Sequence, residues 1–148
     1  MGTLAINKRA SFDYEFIDRY EAGLVLTGQE VKSVKTGHIS LKGSFVTRHN
    51  NELYLINASI PFYVHAGDPQ GYDPTHSRKL LLKRSEIKKL IGKMSIEGLT
   101  LIPLRVYTKK RLVKLEFALA KGKKQFDKRE DIKKREDKRS IDRVLKSF

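Results

Sequence analysis

Four histidines, His38, His49, His65 and His76, are the side chains best suited to hold a metal or move a proton near neutral pH. All four fall in turn- or loop-forming sequence, and none pairs with a carboxylate at the helical spacing of a site such as H-E-x-x-H. The chain has no cysteine, so disulfides, thiolate zinc sites, iron–sulfur clusters and cysteine nucleophiles are excluded together. Neither a G-x-S-x-G elbow nor a Walker A loop is present. The pattern therefore predicts no catalytic residue, no metal ligand and no cofactor, and argues against an enzyme.

The chemistry that the sequence does carry is phosphate binding. Its 148 residues hold 31 Lys and Arg against 17 Asp and Glu, a net charge of +14. The densest segment is Arg78-Lys79-Leu80-Leu81-Leu82-Lys83-Arg84, continued by Lys88, Lys89 and Lys93, with Glu86 the one acid among them. Lysine and arginine there can neutralise phosphates and release counterions. A solvated helix face would account for one such cluster. A second at Lys109 to Lys114 and a third beyond Lys121 shift the reading to a nucleic-acid partner.

Positioning these cations falls to short elements. Phe12, Tyr14 and Phe16 alternate with Asp13 and Glu15, as in a half-buried strand, and Gly23 to Leu26 form a second strand after a bend at Glu21-Ala22-Gly23. Thr27-Gly28-Gln29-Glu30 reads as a capping box opening a helix that Gly37 ends. Ser44–Arg48 and Leu53–Ile60 make a hairpin around His49-Asn50-Asn51-Glu52, and residues 61–77 make a long loop. Ser85 is placed to cap a second helix carrying Ile87, Leu90, Ile91 and Met94. Leu99–Tyr107 and Val113–Ala120 form a last hairpin with Lys109-Lys110-Arg111 at its tip. The expected fold is dominated by about six antiparallel strands in an OB-fold-like β-barrel, with two or three short helices and a basic C-terminal tail. A β-sandwich is the competing architecture.

The tail is marked off by composition. Residues 121–148 hold 12 basic and 6 acidic side chains, and between Asp127 and Ser140 only Ile132 is apolar. Such a stretch cannot bury enough surface to offset its ordering entropy. Yet Glu130–Lys134, Asp131–Arg135 and Asp142–Lys146 are acid-first i,i+4 pairs, and Ile141, Val144, Leu145 and Phe148 make a short apolar stripe. The reading is a folded body over 1–120 and a tail over 121–148 that becomes helical on a surface. No apolar run approaches the ~20 residues of a membrane span, and Met1 to Lys8 lack a signal-peptide core, so the expected location is the cytoplasm.

The motifs Asn7-Lys8-Arg9-Ala10, Tyr14, Glu21-Ala22-Gly23, Gly28-Gln29-Glu30-Val31-Lys32-Ser33, Asp73-Pro74, Arg78-Lys79-Leu80-Leu81-Leu82, Ala120-Lys121-Gly122-Lys123-Lys124 and Asp127-Lys128-Arg129 occur in order. In this the chain resembles the SsrA-binding protein family from about Asn7 to its end. The resemblance implies a barrel related to the OB-fold whose body grips the tRNA-like part of transfer-messenger RNA. It also implies a tail that enters the mRNA channel of a stalled ribosome and helps accommodation in the decoding centre.

By the same resemblance, Asn7, Lys8, Arg9, Glu21, Lys32, Arg78, Lys79, Leu81 and Lys83 would bind RNA. Asn7 and Glu21 could read 2′-hydroxyls or base edges, Leu81 could pack on an unstacked base, and Arg78 and Lys79 would hold phosphates. Two plainer roles compete: a bend-stabilising carboxylate for Glu21 and core packing for Leu81. Lys121, Lys123, Lys124, Phe126, Asp127, Lys128 and Arg129 match the tail segment expected near the decoding centre, with Val144 and Leu145 an apolar pair further on. Phe12 stands where many family members have His, which keeps stacking and loses the hydrogen bond and titratable charge. The alternatives are a structural ribosomal protein or general OB-fold RNA-binding protein and, third, an enzyme acting on RNA.

Overall fold

A computed structural model describes residues 2–96 and 98–123, with Arg129, Ile132, Lys133 and Arg135. In chain order the elements are β1 (Gly2–Ile6), α1 (Ala10–Asp13), β2 (Tyr14–Leu24), α2 (Gly28–Lys35), β3 (Phe45–His49), β4 (Glu52–Ile56), β5 (Arg78–Leu81), α3 (Arg84–Met94), β6 (Leu99–Lys109) and β7 (Leu112–Gly122). The sheet runs β1-β6-β3-β4-β5-β2-β7, and β6 also pairs with β7. That extra pairing closes β6, β3, β4, β5, β2 and β7 into a six-stranded antiparallel barrel, to which β1 adds on the outside of β6. Closure removes the exposed strand edges that an open sheet would leave.

The six barrel strands are not the six expected from periodicity. The two anticipated strands on either side of Glu21-Ala22-Gly23 are one continuous strand, β2, because β7 pairs it from Tyr14 through Gly23. The irregularity lies earlier, between Phe16 and Asp18. Phe12 is not in a strand: Ala10–Asp13 is a short helix, and the alternation begins only at Tyr14. β1 and β5 went unanticipated, β5 because its four residues were hidden in a basic run.

Local signals elsewhere match the structure. The Thr27 Oγ1 accepts from the Glu30 amide while the Glu30 carboxylate accepts from the Thr27 amide, a complete capping box, and Gly37 leaves the helix end at a φ of 86°. Asn50 and Asn51 both adopt positive φ, as a two-residue hairpin turn with right-handed strand twist requires. Lys110 and Arg111 do the same at the β6–β7 tip. Ser85 is not a cap: Lys83 occupies that position, with no side-chain hydrogen bond.

Alternation along the strands sorts the core. Val46, Leu53, Leu55, Leu80, Leu101, Val106, Leu115, Phe117 and Leu119 point into the barrel, joined by Val34 of α2 and Leu90 of α3. Pro103 sits at the irregularity in β6 between Pro103 and Arg105, where a strand tolerates a missing donor. Past that point the outward residues Ile102, Leu104, Ala118 and Ala120 form a second apolar cluster, covered by Ala10 of α1 with Tyr14 and Phe16. The outer face is thus divided: α1 covers one end of the β6-β7-β2 sheet and leaves the other open.

Candidate RNA-binding face

The open end is built from two neighbouring register rows. Thr3, Tyr107, Lys114, Gly23 and Leu81 lie opposite one another across β1, β6, β7, β2 and β5. The next outward row holds Ile6, Arg105, Glu116 and Glu21. Residues directly opposite share a face, so Glu21 and Leu81, sixty positions apart in the sequence, stand on the same surface.

Leu81 is 56% exposed, so core packing is not its role. It leans over Gly23, where a Cβ would come within 3.3 Å of the Leu81 Cβ; a side chain at Gly23 would push Leu81 away. Glu21 is no bend-stabiliser either, since β2 runs straight through it. Its carboxylate accepts from the Tyr107 hydroxyl and lies 3.5 Å from the Lys109 Nζ. The Tyr107 bond is the main cause holding the Glu21 carboxyl below its ordinary range, with Lys109 and Lys114 adding to it. Burial, then the bond and charge of Glu21, push the Tyr107 phenol well up. Both groups therefore keep one charge state at neutral pH.

Cations frame the pair. The Arg105 guanidinium lies 4.3 Å from the Tyr107 ring centroid and, with Arg19, 3.5 Å from Glu116. Lys79 is outward on β5 beside Leu81, its Nζ 3.8 Å from Glu52. Arg19, Arg105, Lys109 and Lys114 make this face with Glu21 and Leu81, over the buried Tyr107. The sequence offered one sign of them, the outward alternation of Arg105 with Tyr107 and of Lys114 with Glu116.

Arg78 is a correction. Because Leu81 points outward, the period of two turns Leu80 and Lys79 alternately in and out and sends Arg78 inward, where it is 1% exposed. Its guanidinium donates to Glu30 Oε2 at 2.7 and 2.9 Å, to the Ala58 carbonyl at 2.6 Å and to the Pro74 carbonyl at 2.8 Å. Every nitrogen of the guanidinium is bonded inside the protein, and at 1% exposure it cannot reach a phosphate. Tyr72 and His76 meet the same Glu30 oxygen at 3.1 and 3.0 Å, so the knot ties α2 to both ends of the 61–77 loop and to β5. Burial opposes the charge on Glu30, but the Thr27 amide and Arg78 outweigh it and hold the carboxyl at about 2.

The remaining residues are spread out. Lys32 is exposed on α2, its Nζ 5.9 Å from the Tyr63 ring centroid, and Lys83 is exposed at the start of α3. Asn7 lies beyond β1, its Nδ2 donating to the Pro103 carbonyl at 2.9 Å, with Lys8 and Arg9 exposed beside it. Phe12 is contacted by two guanidinium groups, Arg9 at 4.9 Å and Arg135 at 5.4 Å from its centroid. Lys121 is exposed in β7 opposite Glu15, and the Lys123 amide donates to the Asp13 carbonyl at 2.9 Å. Arg129, Ile132, Lys133 and Arg135 are helical. Lys124, Phe126, Asp127, Lys128, Val144 and Leu145 lie outside the described residues, as does most of the expected tail helix. Among the described residues no three His, Asp or Glu side chains gather as a metal site would require, and no helix is long and apolar enough to cross a membrane.

A closed small barrel with a cation-rich outer face and an exposed leucine on it is the architecture of an oligonucleotide-binding module. Comparison with known proteins narrows this. Residues 4–147 match the SmpB protein family. The chain is 49% identical over 142 residues to the SsrA-binding protein of Trichodesmium erythraeum, covering 96% of this chain and 91% of that one. It is 49% identical over 144 residues to the SsrA-binding protein of Flavobacterium psychrophilum, covering 97% and 95%. A solved chain described as "tmRNA-SmpB: a journey to the center of the bacterial ribosome" superposes with a TM-score of 0.66 at 41% identity, covering 86% of this chain and 92% of that one. The chain belongs to the SmpB family.

Proposed function

We propose that this protein binds transfer-messenger RNA through the outer face of its barrel and delivers it to stalled ribosomes for trans-translation in the cytoplasm, with no catalytic step of its own. The observation that carries the reading is the placement of Glu21 and Leu81 on adjacent outward rows, framed by Lys79, Lys109, Lys114, Arg105 and Arg19. A carboxylate whose charge is held by Tyr107 can accept from 2′-hydroxyls or base amines. An exposed leucine can pack on an unstacked base, and the cations can sit against the backbone phosphates. Family membership and the relatives' names support the choice of RNA. The ribosome complex of the structural relative supports the second partner, with the decoding centre and mRNA channel as its contact points.

The division of labour follows the chain. Residues up to Lys123 supply the RNA-gripping body, and those beyond it supply a ribosome-directed tail in which Arg129, Ile132, Lys133 and Arg135 are already helical. β7 continues to Gly122 and Lys123 is bonded to Asp13, so the cut that separates the parts without fraying the barrel falls after Lys123. A chain ending there should bind the tRNA-like RNA as the full chain does, and should fail to support peptide tagging on stalled ribosomes. Normal tagging by the shortened chain would overturn the division. Equal affinity of the full chain for the tRNA-like RNA and a plain duplex would overturn the RNA assignment.

A further inference from the structure

Next to the sheet face, β1, α1 and residues 39–45 enclose an open groove of about 870 Å³. Leu41 and Ile102 are buried beneath it, while Ile6 is 60% and Phe45 40% exposed at its mouth. Large apolar side chains left open side by side mark a docking surface rather than ordinary surface texture. Lys8, Arg9 and Lys42 line the same groove, and the one carboxylate among its described lining residues, Asp13, lies 3.5 Å from Arg9. A fitting occupant brings apolar side chains with acidic ones beside them.

The chain carries such a segment close by. β7 delivers the backbone to the groove's edge: Ala120 pairs with Thr100, which lines the groove, and the Lys123 amide donates to the carbonyl of Asp13, which lines it too. The helical residues Arg129, Ile132, Lys133 and Arg135 follow. The Arg135 guanidinium lies 5.4 Å from the ring centroid of Phe12 on α1, the helix that walls the groove. Residues 136–148 come next and lie outside the described residues. In helical register Ile141, Val144, Leu145 and Phe148 share one face. Asp137, four residues before Ile141, joins that face and Asp142 flanks it, whereas Arg139, Arg143 and Lys146 fall opposite. A stripe this short does not hold a helix in water and needs a surface to fold on. Starting beside α1, it meets the groove at the roughly millimolar effective concentration that a short tether gives.

We propose that the groove is the docking site of this chain's own residues 136–148. They pack there as a helix, with Ile141, Val144, Leu145 and Phe148 against Ile6 and Phe45. Asp137 and Asp142 then lie beside Lys8, Arg9 and Lys42, and the basic face of Arg139, Arg143 and Lys146 is left to water. Docking depends on the groove and the tail alone, whatever the sheet face binds. For the tail role proposed above, it means that the body holds the ribosome-directed segment until the groove gives it up.

The test uses the full chain without RNA. Because the sequence has no cysteine, Ser147→Cys gives a single attachment point for a spin label, off the apolar stripe. Nuclear magnetic resonance should then show the amide signals of Ile6, Lys42 and Phe45 losing most of their intensity, while that of Lys110, at the tip of the β6–β7 hairpin, loses little. Val144→Asp combined with Leu145→Asp removes the apolar pair without touching the barrel, and should restore the lost signals. Phe45→Asp should restore those of Ile6 and Lys42 from the groove side. Isotopically labelled chain without the spin label, mixed with spin-labelled chain that is not isotopically labelled, should keep its full intensity. Broadening that is absent, uniform over the barrel, or indifferent to the Val144 and Leu145 changes would overturn the proposal. So would broadening in the mixture, since a second copy's tail would then fill the groove. RNA binding and tagging play no part in this readout, so its failure leaves the proposed function standing.

Discussion

The molecule contains two clusters with the same ingredients, a glutamate bonded to a tyrosine hydroxyl and ringed by cations, and they do opposite work. Glu30 and Arg78 are buried, with Tyr72 and His76 half-buried beside them, and Arg78 spends its hydrogen bonds inside the protein. Glu21, with Lys109 and Arg105, stands at the surface, bonded to the buried Tyr107 beneath it. The difference is one of strand register, not of composition. Arg78 and Leu81 are three residues apart on β5, an odd spacing that sends one into the barrel and the other out of it. The buried cluster fastens the 61–77 loop, while the open one can trade its water for RNA.

The comparison is sharpened first by breaking the buried side. Arg78→Ala leaves Glu30 charged without its main partner, and the loss of one member of a buried ion pair costs about 3–5 kcal/mol. Chemical denaturation should show a loss of that size, and any loss of RNA binding should follow the fraction unfolded. Acid titration gives the next effect. Glu30 titrates at about 2 in the folded protein against an ordinary 4.5. A lowered carboxyl contributes stability that is fully present above pH 4.5 and is lost as pH falls toward 2. The parent should lose stability steeply in that window, and Glu30→Gln, less stable at neutral pH, should show a flatter profile there. On the open side effects should be smaller and confined to binding. Lys79→Ala should flatten the dependence of binding on salt by about one unit and move the melting temperature little, because Lys79 pairs with Glu52 only across 3.8 Å at the surface.

Much of this was legible in the sequence because it was local. The Thr27–Glu30 capping box, the Asn50-Asn51 turn and the β6–β7 hairpin each declare themselves within a few residues, and the barrel class follows from their number. The buried knot was not legible, because Glu30 and Arg78 meet across 48 positions through a β5 strand too short to show a period. A run of lysines, arginines and leucines looks alike whether all its cations face water or one is turned inward. Phe12 misled for a related reason: its alternation with Tyr14 and Phe16 is real, but α1 occupies the first of those positions. Tyr107 is not legible, and Lys114 shows only as part of a basic cluster, because only the register across β6, β7 and β2 brings them to Glu21. Leu81 could be placed at the surface only once β5 and its pairing with Gly23 were known.

Leu81→Ala tests the central claim most directly, with RNA affinity and the thermal melt measured on the same sample. Leu81 is 56% exposed, so truncating it removes little buried surface. The account predicts a loss of affinity of about tenfold for the tRNA-like RNA, an unchanged salt slope and a melting temperature within a degree or two of the parent. Unchanged affinity, or a loss accompanied by a matching drop in stability, would contradict it.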